Sequence, residues 1–125
     1  MTDIAYNSVA WFEIGTGKAD ETRRFYGELF DWTFNITEGG TLKYDEVTTP
    51  GADRPSGGIM ESDGHFPDYA IFYVVVRDVT ETVSQAEALG GKVIVPATTT
   101  EAGLTFAQLQ DSAGHHFGVF SPPAP

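Results

Sequence analysis

The chain has 125 residues and no cysteine, which excludes disulfide frameworks, thiolate metal centres and cysteine nucleophiles. Seven Lys and Arg stand against 18 Asp and Glu, and the net charge of -11 repels phosphate backbones and anionic lipid, so no nucleic acid and no membrane is expected as a partner. A hydrophobic content of 41%, no apolar run near the ~18 residues of a membrane span and no basic, apolar leader lead to the expectation of one soluble, cytoplasmic, globular domain.

Residues 9–14 (VAWFEI) read as a strand, ended by Gly15 and Gly17. Gly15-Thr16-Gly17-Lys18 lacks the full spacing of a phosphate loop and reads as a strand-to-helix turn. Residues 19–30 (ADETRRFYGELF) have helical spacing, with Thr22, Phe25, Tyr26, Leu29 and Phe30 on one face and charges opposite. Asp20 and Glu21 sit in the first turn, where the helix dipole favours anions. Strands are predicted over 32–36, ended by Gly39-Gly40, and over 42–48 and 58–61, the last two separated by a Pro- and Gly-rich loop. The order then restarts. Residues 69–76 (YAIFYVVV) are a strong strand, and Asp78 with Glu81 three residues later makes a capping-box pattern for a helix over 79–89, stopped by Gly90-Gly91. Strands follow over 93–95, 104–110 and 117–120, and Pro122, Pro123 and Pro125 make the tail unstructured or extended.

The order β-α-β-β-β thus occurs twice, at an offset of 60 residues that pairs Glu21 with Glu81, Leu29 with Leu89, Ile14 with Val74, Gly58 with Gly118 and Ile59 with Val119. The fold class is α+β. Each module, one over about 8–62 and one over about 68–122, makes a half-sheet with its helix outside, and the two half-sheets are expected to face each other around a cleft.

Paired modules of this kind resemble the vicinal oxygen chelate superfamily, which includes glyoxalase I, extradiol dioxygenases, fosfomycin resistance enzymes and bleomycin-resistance proteins. Trp11-Phe12-Glu13-Ile14, then Phe25-Tyr26 and Leu29-Phe30-Asp31-Trp32, resemble the family's opening strand and its helix with Phe-Tyr and Leu-Phe-Gly-Trp, with Asp31 where Gly is frequent. Asp111-Ser112-Ala113-Gly114 resembles the Asp-Pro-x-Gly hairpin, and Phe117-Gly118-Val119-Phe120 the last strand of the glyoxalase-like subgroup. The resemblance implies a divalent metal held by His, Gln or Glu on the first and last strands of each module. This chain has Trp11, Ile71, Gly58 and Gly118 at those positions, and none binds a hard cation. No metal and no cofactor is therefore expected. His115 and His116 are adjacent, hence on opposite strand faces, and read as exposed turn histidines, with one reaching a cleft mouth as the alternative; His65 reads as a solvated linker residue.

Strand parity selects the ligand-facing set: Trp11, Glu13, Tyr44, Met60, Ile71, Tyr73, Phe106, Gln108 and Phe120, while Ala10, Phe12, Ile14, Phe72, Val74 and Val76 turn toward the helices. Replacing metal ligands with Gly58 and Gly118 would leave space. Such an aromatic cleft suits a small apolar or aromatic organic ligand, and the acidic charge admits a cationic one. Glu13 is the candidate catalytic residue. A carboxylate among aromatics is disfavoured in its charged form, which suits general acid–base work. Its structural alternative is a hydrogen bond to backbone or to Tyr73. Trp11 reads as cavity wall or core, and Tyr44 and Tyr73 as hydrogen-bond donors to ligand or as packing. Three functions follow in order: a metal-free binder like the bleomycin-resistance proteins, a metal-independent isomerase or lyase using Glu13, and a metal-dependent lyase or dioxygenase. Whether the protein is an enzyme stays open. Exposed sheet edges admit a homodimer.

Overall fold

The computed structural model describes residues 4–36, 43–62 and 67–123. Gly39-Gly40, Leu42, His65 and Pro125, to which the sequence expectations assigned strand ends, a linker and the tail, lie outside them. The order of elements is β1 (Val9–Thr16), α1 (Ala19–Phe30), β2 (Thr33–Ile36), β3 (Tyr44–Thr48), β4 (Gly57–Glu61), β5 (Tyr69–Val75), α2 (Val79–Ala88), β6 (Lys92–Thr99), β7 (Thr105–Gln110) and β8 (His116–Ser121). This is the α+β class, β-α-β-β-β twice. The chain divides into two compact units, Trp11–Ala70 and Ile71–Pro125 with the N-terminal residues to Ala10.

In the first unit the strands lie in the order β2-β3-β4-β1, and in the second β5-β8-β7-β6. The registers reproduce the repeat. The parallel β1–β4 pair sets Glu13 beside Gly58 and Ile14 beside Ile59. The parallel β5–β8 pair sets Tyr73 beside Gly118 and Val74 beside Val119, the same positions plus 60. A parallel pair needs a crossover, and the helix with two antiparallel strands supplies it in each unit.

Alternation along the strands then divides the faces. In the first unit Val47, Ile59 and Ala19 form the core, with Phe12, Ile14, Trp32 and Phe34 packed against it. In the second, Val76, Val79, Ala107, Leu109 and Val119 do so, with Val74, Val83, Ala86, Val93 and Phe117 around them. Two expectations fail at the margins: Ala10 and Phe72 are exposed, and Phe72 stacks on Phe117 at 6.2 Å rather than entering the core.

Helix α2 begins as its sequence predicts, with the Glu81 backbone N–H donating to Asp78 Oδ1 at 3.0 Å. It ends with Gly90 at φ 95 and the Gly91 N–H donating to Ala86 O, a close that satisfies carbonyls of the last turn. Helix α1 ends on a left-handed Asp31, φ 58, which explains why glycine suits that position in the resembled motif. Its apolar face is not covered as its spacing implies: Phe25 and Leu29 are 61% and 57% exposed. The side turned inward instead carries Arg23, which pairs with Asp45, a buried residue of β3, and Gly27, over which the Phe34 ring and Trp32 carbonyl lie. Strand β6 runs to Thr99 rather than stopping at Val95, because register shifts after Val93 and Val95 absorb Pro96 on the last strand of its set.

Candidate functional site

The face of each unit turned away from its helix carries the polar chemistry. In the first unit β1 places Glu13 there, only 5% exposed. The Tyr69 hydroxyl donates to Glu13 Oε2 at 2.6 Å and lies 3.7 Å from Met60 Sδ. Beside it, Trp11 Nε1–H donates to the Tyr44 hydroxyl at 2.8 Å. A carboxylate this far from water needs such donors, and a phenol is a strong one. In the second unit Gln108, also 5% exposed, bridges two groups. Its Nε2–H donates to the Tyr73 hydroxyl at 2.9 Å, and its Oε1 lies 2.8 Å from His116 Nε2. Gln108 Oε1 can only accept, so Nε2 of His116 is the protonated ring nitrogen in this contact. Burial holds the His116 imidazole below its usual 6.5. Phe120 meets the Tyr73 ring edge-on at 6.3 Å, and Phe106 lies beside Phe120 in the β7–β8 register.

Three strand glycines are roofed by these tyrosines. A Cβ on Gly15 would fall 2.3 Å from the Tyr69 ring, on Gly58 2.2 Å from Tyr44 and on Gly118 2.4 Å from Tyr73. No Cβ atom tolerates such a distance, so glycine is what lets each ring lie flat on the strand and carry its hydroxyl to a partner. The space expected above Gly58 and Gly118 is therefore filled by aromatic rings.

The predicted residues distribute as follows. Trp11, Glu13, Tyr44 and Met60 come together in the first unit, and Tyr73, Phe106, Gln108 and Phe120 in the second, with Ile71 buried on the same strand as Tyr73. Glu13 bonds Tyr69, not Tyr73 as its structural alternative supposed, because Tyr73 lies over Gly118 and bonds Gln108. Tyr69 and His116 are additions. Both were within reach of parity: Tyr69 is two residues from Ile71, and His116 two from Gly118. His116 is half-buried, which corrects its expectation as an exposed turn residue. His115 is exposed and pairs with Asp111, whose carboxyl is held below the usual range chiefly by the His115 backbone N–H.

The positions that the resemblance assigns to metal ligands do not fit a divalent cation. Trp11 offers only an N–H donor, Ile71 no polar atom, and Gly58 and Gly118 lie under tyrosine rings. Among the described residues no three His, Asp or Glu gather into a group that could hold a metal. A cavity of about 190 Å³ opens elsewhere, at the start of α2, beside the Arg77 guanidinium 4.2 Å above the Tyr6 ring, and includes none of the predicted residues. No helix among the described residues is long and apolar enough to cross a membrane.

The family model described as Glyoxalase/Bleomycin resistance protein/Dioxygenase superfamily matches residues 8–119. Solved structures of similar fold include a methylmalonyl-CoA epimerase from Mycobacterium tuberculosis (12% identity, TM-score 0.60, 99% of this chain and 94% of that one). They also include a hypothetical protein from Bacillus halodurans C-125 (10% identity, TM-score 0.68, 94% and 96%). A third is a variant Streptomyces coelicolor methylmalonyl-CoA epimerase in complex with 2-nitronate-propionyl-CoA (11% identity, TM-score 0.63, 96% and 100%). At these identities the likeness is one of fold. No curated protein sequence matches the chain.

Proposed function

The chain belongs to the glyoxalase/bleomycin resistance protein/dioxygenase superfamily, and from that premise we propose that it binds a small apolar or aromatic organic molecule, neutral or cationic, without a metal ion. The observation that carries this is the buried Glu13 carboxylate, held by Tyr69 and set beside the Trp11–Tyr44 pair. Aromatic side chains supply flat apolar area at low entropic cost, and a single carboxylate fixes orientation and favours a cationic group. The net charge of -11 acts in the same direction. The Tyr73–Gln108–His116 chain gives the second unit a neutral set of donors and acceptors for the same class of molecule. The protein works in the cytoplasm, as one domain of two modules.

The test is a thermal-shift screen of neutral, cationic and anionic aromatic compounds, including an acyl-CoA, followed by calorimetry on Glu13→Gln. That variant keeps an acceptor for Tyr69 and removes the charge. For a cationic ligand it should weaken binding about tenfold or more. Hits confined to anionic compounds would overturn the assignment.

A second function rests on the same carboxylate: a metal-independent isomerase or lyase in which Glu13 moves the proton, with the Tyr69 hydroxyl holding Oε2 in place. The buried carboxylate–phenol pair favours it, since such environments suit acid–base groups. Loss of turnover in Glu13→Gln with affinity retained would select this function over simple binding. A metal-dependent lyase or dioxygenase is the least supported, and a tightly held divalent ion near one per chain in purified protein would reinstate it.

A further inference from the structure

The thioether of Met60 lies against the hydroxyl that holds Glu13. Strand β4 sets Met60 beside Gly15 of β1 and Tyr44 of β3. The Tyr69 ring covers Gly15, so its hydroxyl arrives between two acceptors. Glu13 Oε2 is 2.6 Å from it and Met60 Sδ 3.7 Å. A phenol has one proton to donate, and a carboxylate outcompetes a thioether, which is a weak acceptor. The proton therefore goes to Glu13. Met60 is only half-buried, within reach of a small solute. The second unit has no counterpart, because the position 60 residues on is Phe120, which carries no sulfur.

We infer that Met60 is a redox-sensitive modification site, whose oxidation by a hydroperoxide loosens the hold of Tyr69 on Glu13. The sulfur lone pair attacks the distal peroxide oxygen. An S–O bond forms, the O–O bond breaks, and the peroxide leaves with its own proton as the alcohol, or as water from hydrogen peroxide. Sulfur gives up two electrons and the peroxide takes them, and no proton leaves the protein. The sulfoxide oxygen is a strong acceptor one bond outward from Sδ, on an unbranched side chain flexible enough to turn it toward Tyr69. From 3.7 Å that brings it into hydrogen-bond range of the hydroxyl. Two oxygens then share one proton, and the new oxygen sets partial negative charge against the carboxylate. Glu13, only 5% exposed, is held less firmly where a charge is costly. This exchange of partners does not depend on what the site binds; its effect on binding rests on the function proposed above.

Carboxyl-carbon NMR of the full chain labelled in glutamate tests the inference. Glu13 is assigned as the resonance missing in Glu13→Gln, and peptide mass spectrometry follows Met1 and Met60 separately after hydrogen peroxide. The expected result is oxidation at Met60 and a Glu13 resonance that moves toward its position in Tyr69→Phe. Treated Met60→Leu should show no movement. Met60→Gln, with an amide oxygen in place of the sulfoxide's, should show it without peroxide. In Tyr69→Phe, oxidation should move the resonance far less than in the native chain; if that variant does not fold, Met60→Leu and Met60→Gln carry the test. Met60 left intact by peroxide that fully oxidises free methionine overturns the inference. So does a resonance unmoved in the oxidised chain, or moved as far in treated Met60→Leu. A compound found by the thermal-shift screen should bind the oxidised chain about tenfold less tightly. Equal binding with the resonance moved overturns the effect on the site, whereas a screen without hits counts against the proposed function and leaves the resonance result standing.

Discussion

The two units share a backbone plan and differ in what they bury. Unit Trp11–Ala70 takes charge inside: Glu13 and Asp45 are 5% and 6% exposed, one held by Tyr69 and the other by Arg23. The second unit buries a neutral equivalent, with Tyr73 at the position that repeats Glu13 and Gln108 as its partner. The same division holds outside, where α1 presents aromatic rings and α2 does not. Duplication of a module fixes registers and faces, because those follow from strand pairing and alternation. It leaves side-chain chemistry free, and here one half has taken up charge while the other has kept neutral hydrogen bonds. The proposed function rests on the half with charge, because that half holds the Glu13 carboxylate.

Breaking the charged half should cost most. Arg23→Ala leaves Asp45 buried and uncompensated and should destabilise the protein by about 3 kcal/mol in urea unfolding. The second unit contains no ion pair of this kind among its described residues, and Asp78→Ala there should remove only the α2 cap, about 1 kcal/mol. A smaller effect than the Arg23 variant is expected at the roofed glycines, where both halves are alike. Gly58→Ala and Gly118→Ala each force a tyrosine ring off its strand, at about 1–3 kcal/mol. In a Tyr44→Ala background the Gly58 penalty should shrink, which a double-mutant cycle reads directly. Asp31→Gly runs the other way and should stabilise by about 1 kcal/mol by relieving the left-handed backbone.

The smallest effect sharpens the neutral half. His116 is held below its usual 6.5, so the unfolded chain binds that proton more readily than the folded one. Its contribution is present above about pH 6.5 and declines as pH falls below it. Urea midpoints between pH 7.5 and 5.5, about one unit to either side of the imidazole's ordinary value, should decline more in the native chain than in His116→Gln.

The repeat, both helices, the shared face of Glu13, Tyr44 and Met60 and that of Tyr73, Phe106, Gln108 and Phe120 could be read from the sequence, because a 60-residue offset and period-two alternation are local regularities. The pairing of hydroxyls could not. Glu13 and Tyr69 are 56 positions apart, and nothing local says that Tyr69 rather than Tyr73 reaches the carboxylate. What decides it is which glycine each ring covers, Gly15 under Tyr69 and Gly118 under Tyr73, and those glycines lie on strands far from the tyrosines in the chain. The exposure of Phe25 was hidden for a related reason. Helical spacing placed it with Tyr26 and Leu29, but the inward side of α1 is set by the Arg23–Asp45 pair, which periodicity of apolar residues does not register.

The most direct test of a metal-free binding site centred on Glu13 is the thermal-shift screen run in excess EDTA, with native protein and Glu13→Gln side by side. The expected result is a set of aromatic or cationic compounds that raise the native melting temperature with chelator present and lose most of that shift in Glu13→Gln. Shifts that appear only when a divalent metal is supplied, or that are equal in the two proteins, would contradict it.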